Sequence, residues 1–224
     1  MVVLAVGNMR MTREKFKKEL KAALRALSRD PSLGYLAITA KPETQIRDKV
    51  ACWFHRKYQY PKLVTAREYQ INSKHTRGQK KRVDLTLLNA ALTPVAAMEF
   101  KAMIVPDPLA NSNHHLMIDL QNDLAKLGRI THFPRFGIML MVHIENVERL
   151  RQQGLNGRVV KYMPKFLRCA SDKGHDAPKK AIDNASGFFE RANLDVTRLI
   201  IKLGRVWGAR VKLACFILEP KQMS

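Results

Sequence analysis

The 224-residue chain is poor in acidic residues and in cysteine, and it has no long apolar run. Its 19 Asp plus Glu stand against 40 Lys plus Arg, leaving a formal charge of +21 and a pI near 10.3. Such a field attracts polyanions, and nucleic acids are the commonest of these inside cells. Basic pI alone favours that partner by only about two to one over a generally basic surface. Cys52, Cys169 and Cys215 are odd in number, far apart, and never in a C-x-x-C pair. That excludes a zinc ribbon and a disulfide framework and suits a reducing compartment. The segment Met1–Gly7 is apolar but too short for a signal sequence and lacks a basic start. With no apolar run of bilayer length, the expectation is a soluble, cytoplasmic protein with no membrane partner. Internal repeats and low-complexity tracts are also missing. What remains, at 46% hydrophobic, suits one compact domain with its own core, or one domain with a sizeable insertion.

Hydrophobic spacing predicts the elements in turn. Thr12 can cap a helix with Phe16, Leu20, Leu24 and Leu27 on one face, stopped by Asp30-Pro31. A second helix starts at Pro42 and carries Ile46, Val50 and Trp53 along one stripe, fading before Tyr60-Pro61. Three strands follow at 64–71, 82–88 and 95–103, the first two joined by a basic hairpin loop over 72–79. Residues 111–127 read as a helix with Leu116, Leu120, Leu124 and Leu127 in its stripe, and Gly128 just past the end. The apolar run 136–144 reads as a buried strand. From 146 to 190 the chain is basic and rich in Gly, Asn and Ser, an insertion with short helices. Asp195 is then expected to cap a helix carrying Val196, Leu199, Ile200, Leu203, Val206 and Trp207, ended by Gly208. A strand over 211–218 closes the chain. Helix, three strands, helix and strand predict an α/β sandwich around a mixed sheet.

Within the three strands stand Arg82-Val83-Asp84-Leu85 and Met98-Glu99-Phe100-Lys101. Period-two alternation puts Glu99 and Lys101 on one face with Val95 and Ala97, while Ala96, Met98 and Phe100 face the other way. On the neighbouring strand the same rule puts Arg82, Asp84 and Thr86 together, with Val83, Leu85 and Leu87 opposite. Two carboxylates and an ammonium therefore meet on an otherwise apolar sheet, where an uncompensated charge would be costly. Mg²⁺ suits them, since it prefers oxygen ligands and keeps several waters; Mn²⁺ is the expected substitute. Such an ion would acidify a bound water and neutralise phosphate charge. Lys101 would orient or help deprotonate that water and stabilise developing negative charge.

Two other Glu-x-Lys strings lack this context. Glu19 and Lys21 fall mid-helix, where residues two apart do not share a face. Glu219-Pro220-Lys221 has Pro in the middle and no hairpin Asp before it. For the bare string at 99–101, a surface salt bridge would be the better explanation. The Asp84 hairpin, the preceding helix and the +21 charge outweigh it.

Asp84, a fourteen-residue gap and Glu99-Phe100-Lys101 resemble the motif of the PD-(D/E)xK nuclease superfamily, which includes restriction endonucleases, archaeal Holliday-junction resolvases and RecB-type exonucleases. The match of elements covers about residues 42–144, and Val83 stands where the motif has Pro, a common variation. The resemblance implies an α/β fold with a restriction-endonuclease-like αβββαβ core, a mixed central sheet flanked by helices, and a basic C-terminal insertion. The whole, residues 1–224, would be one nuclease domain: core about 42–144, insertion about 146–190, helix and strand about 195–219. It implies that Asp84 and Glu99 bind Mg²⁺ and that Lys101 is catalytic. An additional acidic residue on the helix before the hairpin matches Glu43, with Glu68 on the first strand as its rival. DNA as substrate and a homodimer are likewise implied by the family.

The hairpin cations Lys74, Arg77, Lys80, Lys81 and Arg82 are well placed to grip backbone phosphates. Lys161, Lys165, Arg168, Lys173, Lys179 and Lys180 offer a second such surface, with Tyr162 and Phe166 among them either stacking on bases or packing. Gln121, where some RecB-like members have a Gln followed four residues on by Tyr, is followed here by Ala125 and reads as an ordinary helix residue. His114 and His115 read as a solvated helix start, and His75, His132 and His143 have no ligand spacing. The reading is a metal-dependent DNA endonuclease; its rival is a non-catalytic nucleic-acid-binding protein with a vestigial site.

Overall fold

The computed structural model describes residues 12–58, 62–72, 80–107, 115–130, 133–173 and 176–221. These residues build an α/β fold, a six-stranded mixed sheet flanked by helices. Helix α1 (Arg13–Ala26) opens as its sequence dictates: the Thr12 hydroxyl accepts the Lys15 N–H at 3.2 Å. Phe16, Leu20, Leu24 and Leu27 are all buried, and Phe16 stacks on Phe54. Asp30-Pro31 ends this helix but does not end helical structure. The Asp30 carboxylate accepts the Ser32 N–H at 2.9 Å and starts a short helix, α2 (Ser32–Thr39), which the apolar spacing did not disclose. Helix α3 (Glu43–Tyr58) follows, with Pro42 just outside it and the Pro42 carbonyl accepting the Ile46 N–H.

Strands β1 (Val64–Asn72), β2 (Lys80–Leu88) and β3 (Pro94–Ile104) run antiparallel in sequence order. Helix α4 (His115–Ile130) then carries the chain back so that β4 (Arg135–Glu145) lies parallel to β3. A crossover helix is what a parallel neighbour requires. After α5 (Glu148–Gln152), α6 (Met163–Lys173) and α7 (Ala177–Arg191), strands β5 (Leu194–Val206) and β6 (Ala209–Pro220) complete the order β1-β2-β3-β4-β6-β5. The sheet separates two apolar layers. Ile46, Val50 and Phe54 of α3 pack with Leu85, Met98, Phe100 and Ile138 on one side. Leu120 and Leu124 of α4 pack with Met103, Met139 and Phe216 on the other.

The stretch 146–190 carries α5, α6 and α7, and α7 is a full-length helix of 15 residues rather than a short one. Its Ala181, Ala185 and Phe189 are buried in the α4 layer, so this part of the chain belongs to the main core.

The helix expected from Asp195 to Trp207 is a strand, β5, paired along its length with β6. Its apolar residues do recur at helical spacing, but the segment is rich in β-branched residues, with Val196, Thr197, Ile200, Ile201 and Val206, and these favour a pleated surface. The deciding feature is the turn. Val206 pairs with Ala209 around Trp207 (φ 47°) and Gly208 (φ 78°), two successive left-handed residues that make the tight connection of a hairpin. Gly208 thus turns a hairpin instead of ending a helix.

Glu219 is 2% exposed, and its carboxylate receives Arg13 Nε at 2.8 Å and pairs with Lys17, tying β6 to α1. Breaking a fully buried pair costs about 3–5 kcal/mol; because these two cations keep some contact with water, Glu219→Ala should cost about 2 kcal/mol. The expected result is a lower urea midpoint at unchanged m. A midpoint equal to that of the wild type would show the pair to be energetically idle. Among the described residues no helix is long and apolar enough to cross a membrane.

Candidate active site

Glu99 and Lys101 share the β3 face that turns toward α4, as alternation requires. Neighbouring Ala97 packs with Leu127 and Met103 with Leu120 and Leu124. Glu99 is 4% exposed, whereas the Lys101 side chain keeps 27% of its surface. In the parallel pairing, Glu99 lies opposite Gly137. A Cβ on Gly137 would stand 2.8 Å from Leu124 Cδ1 and 3.3 Å from Leu120. The bare backbone there lets α4 sit close over the sheet. That approach brings Asp123 to Lys101, with Oδ2 3.7 Å from Nζ.

Asp84 occupies the point where β2 and β3 part. Their pairing runs only to Leu85↔Met98, and beyond it the Phe100 N–H donates to Asp84 Oδ2 at 2.7 Å. The carboxylate thereby satisfies a main-chain donor on β3 from the neighbouring strand, beside Glu99 and Lys101. The expected alternation of Val83, Leu85 and Leu87 on one face fails here. Val83 is buried with Ala97 and Leu127 on the α4 side, while Leu85 and Leu87 pack on the α3 side. The break is local. The β1–β2 register passes from Arg67↔Leu85 to Tyr69↔Val83 and pairs neither Glu68 nor Asp84, and Glu68 there has φ 51°, a left-handed conformation costly for a residue with a Cβ.

Glu43, in the first turn of α3, reaches the residue after Lys101. Its Oε2 accepts the Ala102 N–H at 3.0 Å. Burial raises the Glu43 pKa above the usual carboxylate range, and the Asp84 charge adds to this, against an opposing effect of Lys101. For Lys101, burial alone would lower the pKa, but Asp123, Glu43, Asp84 and Glu99 outweigh it and the net shift is upward. The ammonium is thus the favoured form, held among four carboxylates from α3, β2, β3 and α4. Sequence reasoning misses Asp123. Its one signal is its position next to Leu124 and three residues after Leu120, at the border of the apolar stripe.

Glu68 is elsewhere: it pairs with Arg47 of α3, which also bonds Asp48 at 3.1 Å. Of the hairpin cations, Arg82 is exposed on β2, and Lys80 and Lys81 lie on the same strand. Lys74 and Arg77 lie outside the described residues, as do His75, His114 and His132. His143 stands half-buried on β4, where burial pushes its imidazole down to about 4 and favours the neutral form.

The fit of a divalent cation rests on the donor atoms. Among the described residues no three of His, Cys, Asp and Glu form a ready-made metal-binding group. Mg²⁺ asks for less than that: one or two carboxylates, with water filling most of its octahedron. Asp84 and Glu99 meet the requirement with hard oxygens, and a carboxylate has two oxygens, one for a main-chain N–H and one for an ion. No family model, curated protein or solved structure matches the chain.

Proposed function

We propose that this chain is a Mg²⁺-dependent endonuclease acting on DNA, built on a restriction-endonuclease-like core. The observation that carries the reading is that Asp84 and Glu43 take the β3 N–H groups of Phe100 and Ala102, on either side of Lys101 and next to Glu99, where β2 and β3 separate. The order helix, three antiparallel strands, helix and parallel strand from Glu43 to Glu145 supports the finer fold assignment. Asp84 and Glu99 would hold the ion, with Glu43 beside them. When bound, it would lower the pKa of a coordinated water and offset charge on the phosphate. Lys101 orients the attacking water and stabilises the negative charge that grows on the phosphate oxygens. Asp123 pairs with the Lys101 ammonium from α4. Arg82, and Lys80 and Lys81 on the same strand, grip backbone phosphates without reading sequence.

The test is cleavage of plasmid and branched DNA with and without Mg²⁺. Mg²⁺-dependent strand scission supports the proposal. Salt-sensitive binding without scission would instead mark a non-catalytic nucleic-acid-binding protein.

The charge makes its own prediction. Affinity for DNA should fall steeply as salt rises, because each Lys or Arg that meets a phosphate releases condensed counterions. Replacing Lys80 and Lys81 with Gln should reduce the slope of log affinity against log salt by about 1 for each phosphate that is no longer neutralised. An affinity indifferent to salt would detach the +21 charge from function.

A further inference from the structure

By sequence, Tyr162 and Phe166 are aromatic residues among cations that either stack on bases or pack. For Phe166 the fold decides: it is 5% exposed and belongs to the core. Tyr162 packs against the same core but is only half-buried, and it differs in three respects. Its backbone is left-handed, φ 67°, a conformation that non-glycine residues adopt only where surroundings impose it and that gathers at ligand sites. It is locked there as the start of α6, its carbonyl accepting the Lys165 and Phe166 N–H groups at 2.9 and 3.2 Å. And the ammoniums of Lys161 and Lys165 lie over its half-buried ring, 5.3 and 5.8 Å from the centroid.

The ring lines a cavity of about 160 Å³ together with Lys41, Pro42, Ala102, His115 and Lys165. This cavity adjoins the candidate active site. Pro42 precedes Glu43, Ala102 follows Lys101, and the Ala102 N–H is the one that Glu43 accepts. Asp107 ties the two together. Its Oδ2 accepts the Ile104 N–H at the end of β3, and its Oδ1 holds Lys165 Nζ at 3.1 Å.

From this the geometry points to a subsite for a single unstacked nucleobase of the DNA strand, with Tyr162 as its stacking platform. It rests on the nuclease reading for its substrate. The size decides what enters: drug-sized ligands fill about 300–1,000 Å³, so a 160 Å³ cavity takes one flat ring system and no base pair. Aromatic faces accept any base, and the two ammoniums that lie over the ring would swing off it to meet the phosphates on either side. The substrate class that follows is DNA with unpaired nucleotides next to the scissile phosphate, such as an overhang, flap or branch.

The experiment measures binding in EDTA, where nothing is cut, using a short single-stranded oligonucleotide carrying 2-aminopurine and a matched fully paired duplex. Tyr162→Leu should weaken single-strand binding about tenfold or more and relieve the stacking quench of 2-aminopurine. Tyr162→Phe should keep both, and duplex affinity should be unchanged throughout. Equal single-strand affinity for wild type and Tyr162→Leu, or an equal loss for single strand and duplex, overturns the subsite. Should Tyr162→Leu fail to fold by thermal melting, Tyr162→Trp decides: tighter single-strand binding supports stacking, and none overturns it. Because this readout needs no cleavage, a chain that stacks the base yet never cuts would sink the nuclease reading alone. One that cuts with Tyr162→Leu binding normally would sink the subsite alone.

Discussion

Asp84→Asn should lower the rate of Mg²⁺-dependent DNA cleavage on the order of 10³-fold while the protein remains folded and binds DNA within a few-fold of wild type. The reason is the double use of this carboxylate. Its Oδ2 accepts the Phe100 N–H at 2.7 Å, and an asparagine amide oxygen can do the same, so the parting of β2 and β3 is preserved. What asparagine cannot supply is the negative charge that a divalent cation requires. Asp84→Ala should be equally inactive but also less stable by about 1–3 kcal/mol, since it leaves the Phe100 N–H without its acceptor. Lys101→Ala should match the loss of rate, because it removes the cation that Glu43, Asp84, Glu99 and Asp123 share. Single-turnover kinetics, filter binding and thermal melting separate the three quantities. Cleavage by Asp84→Asn or Lys101→Ala near the wild-type rate would end the assignment.

Glu43→Gln should lose cleavage on the order of 10²-fold with little change in stability, whereas Glu68→Gln should keep most of its activity. The two carboxylates are rivals in the sequence: one opens a helix, the other lies on a strand that pairs with the one bearing Asp84. In the fold they have different partners. Glu43 accepts the Ala102 N–H beside Lys101, and an amide oxygen preserves that bond while discarding the charge. Glu68, half exposed, pairs with Arg47 of α3, an ion pair worth about 1 kcal/mol or less. Mg²⁺-dependent turnover and thermal melting of both variants read the difference. Activity lost in Glu68→Gln and kept in Glu43→Gln would move the additional acidic residue to β1.

The elements around the site were legible because each carries a local signal. Thr12 announces its helix through a hydroxyl that can reach only a nearby N–H, and Glu99 and Lys101 share a face because a strand repeats every two residues. Those rules fail where a local signal is double. Val196, Leu199, Ile200, Leu203 and Val206 fit a helix stripe as well as a half-buried strand, and the tie was broken by pairing with β6 across the Trp207-Gly208 turn. Val83 broke its alternation at the step where neither Asp84 nor the left-handed Glu68 of the neighbouring strand is paired.

What the amino-acid sequence determined by itself was the charge, the positions of most helices and strands, and the pairing of Glu99 with Lys101 on one strand face near Asp84. Each of these follows from short-range periodicity or from composition. What only the tertiary structure decided was which distant groups complete the site. Asp123 comes to Lys101 because Gly137 lets α4 settle on the sheet, and Glu43 comes because α3 lays its first turn against Ala102. Glu68 is drawn off by Arg47. Such meetings depend on packing distances between elements far apart in the chain, and no local pattern records them.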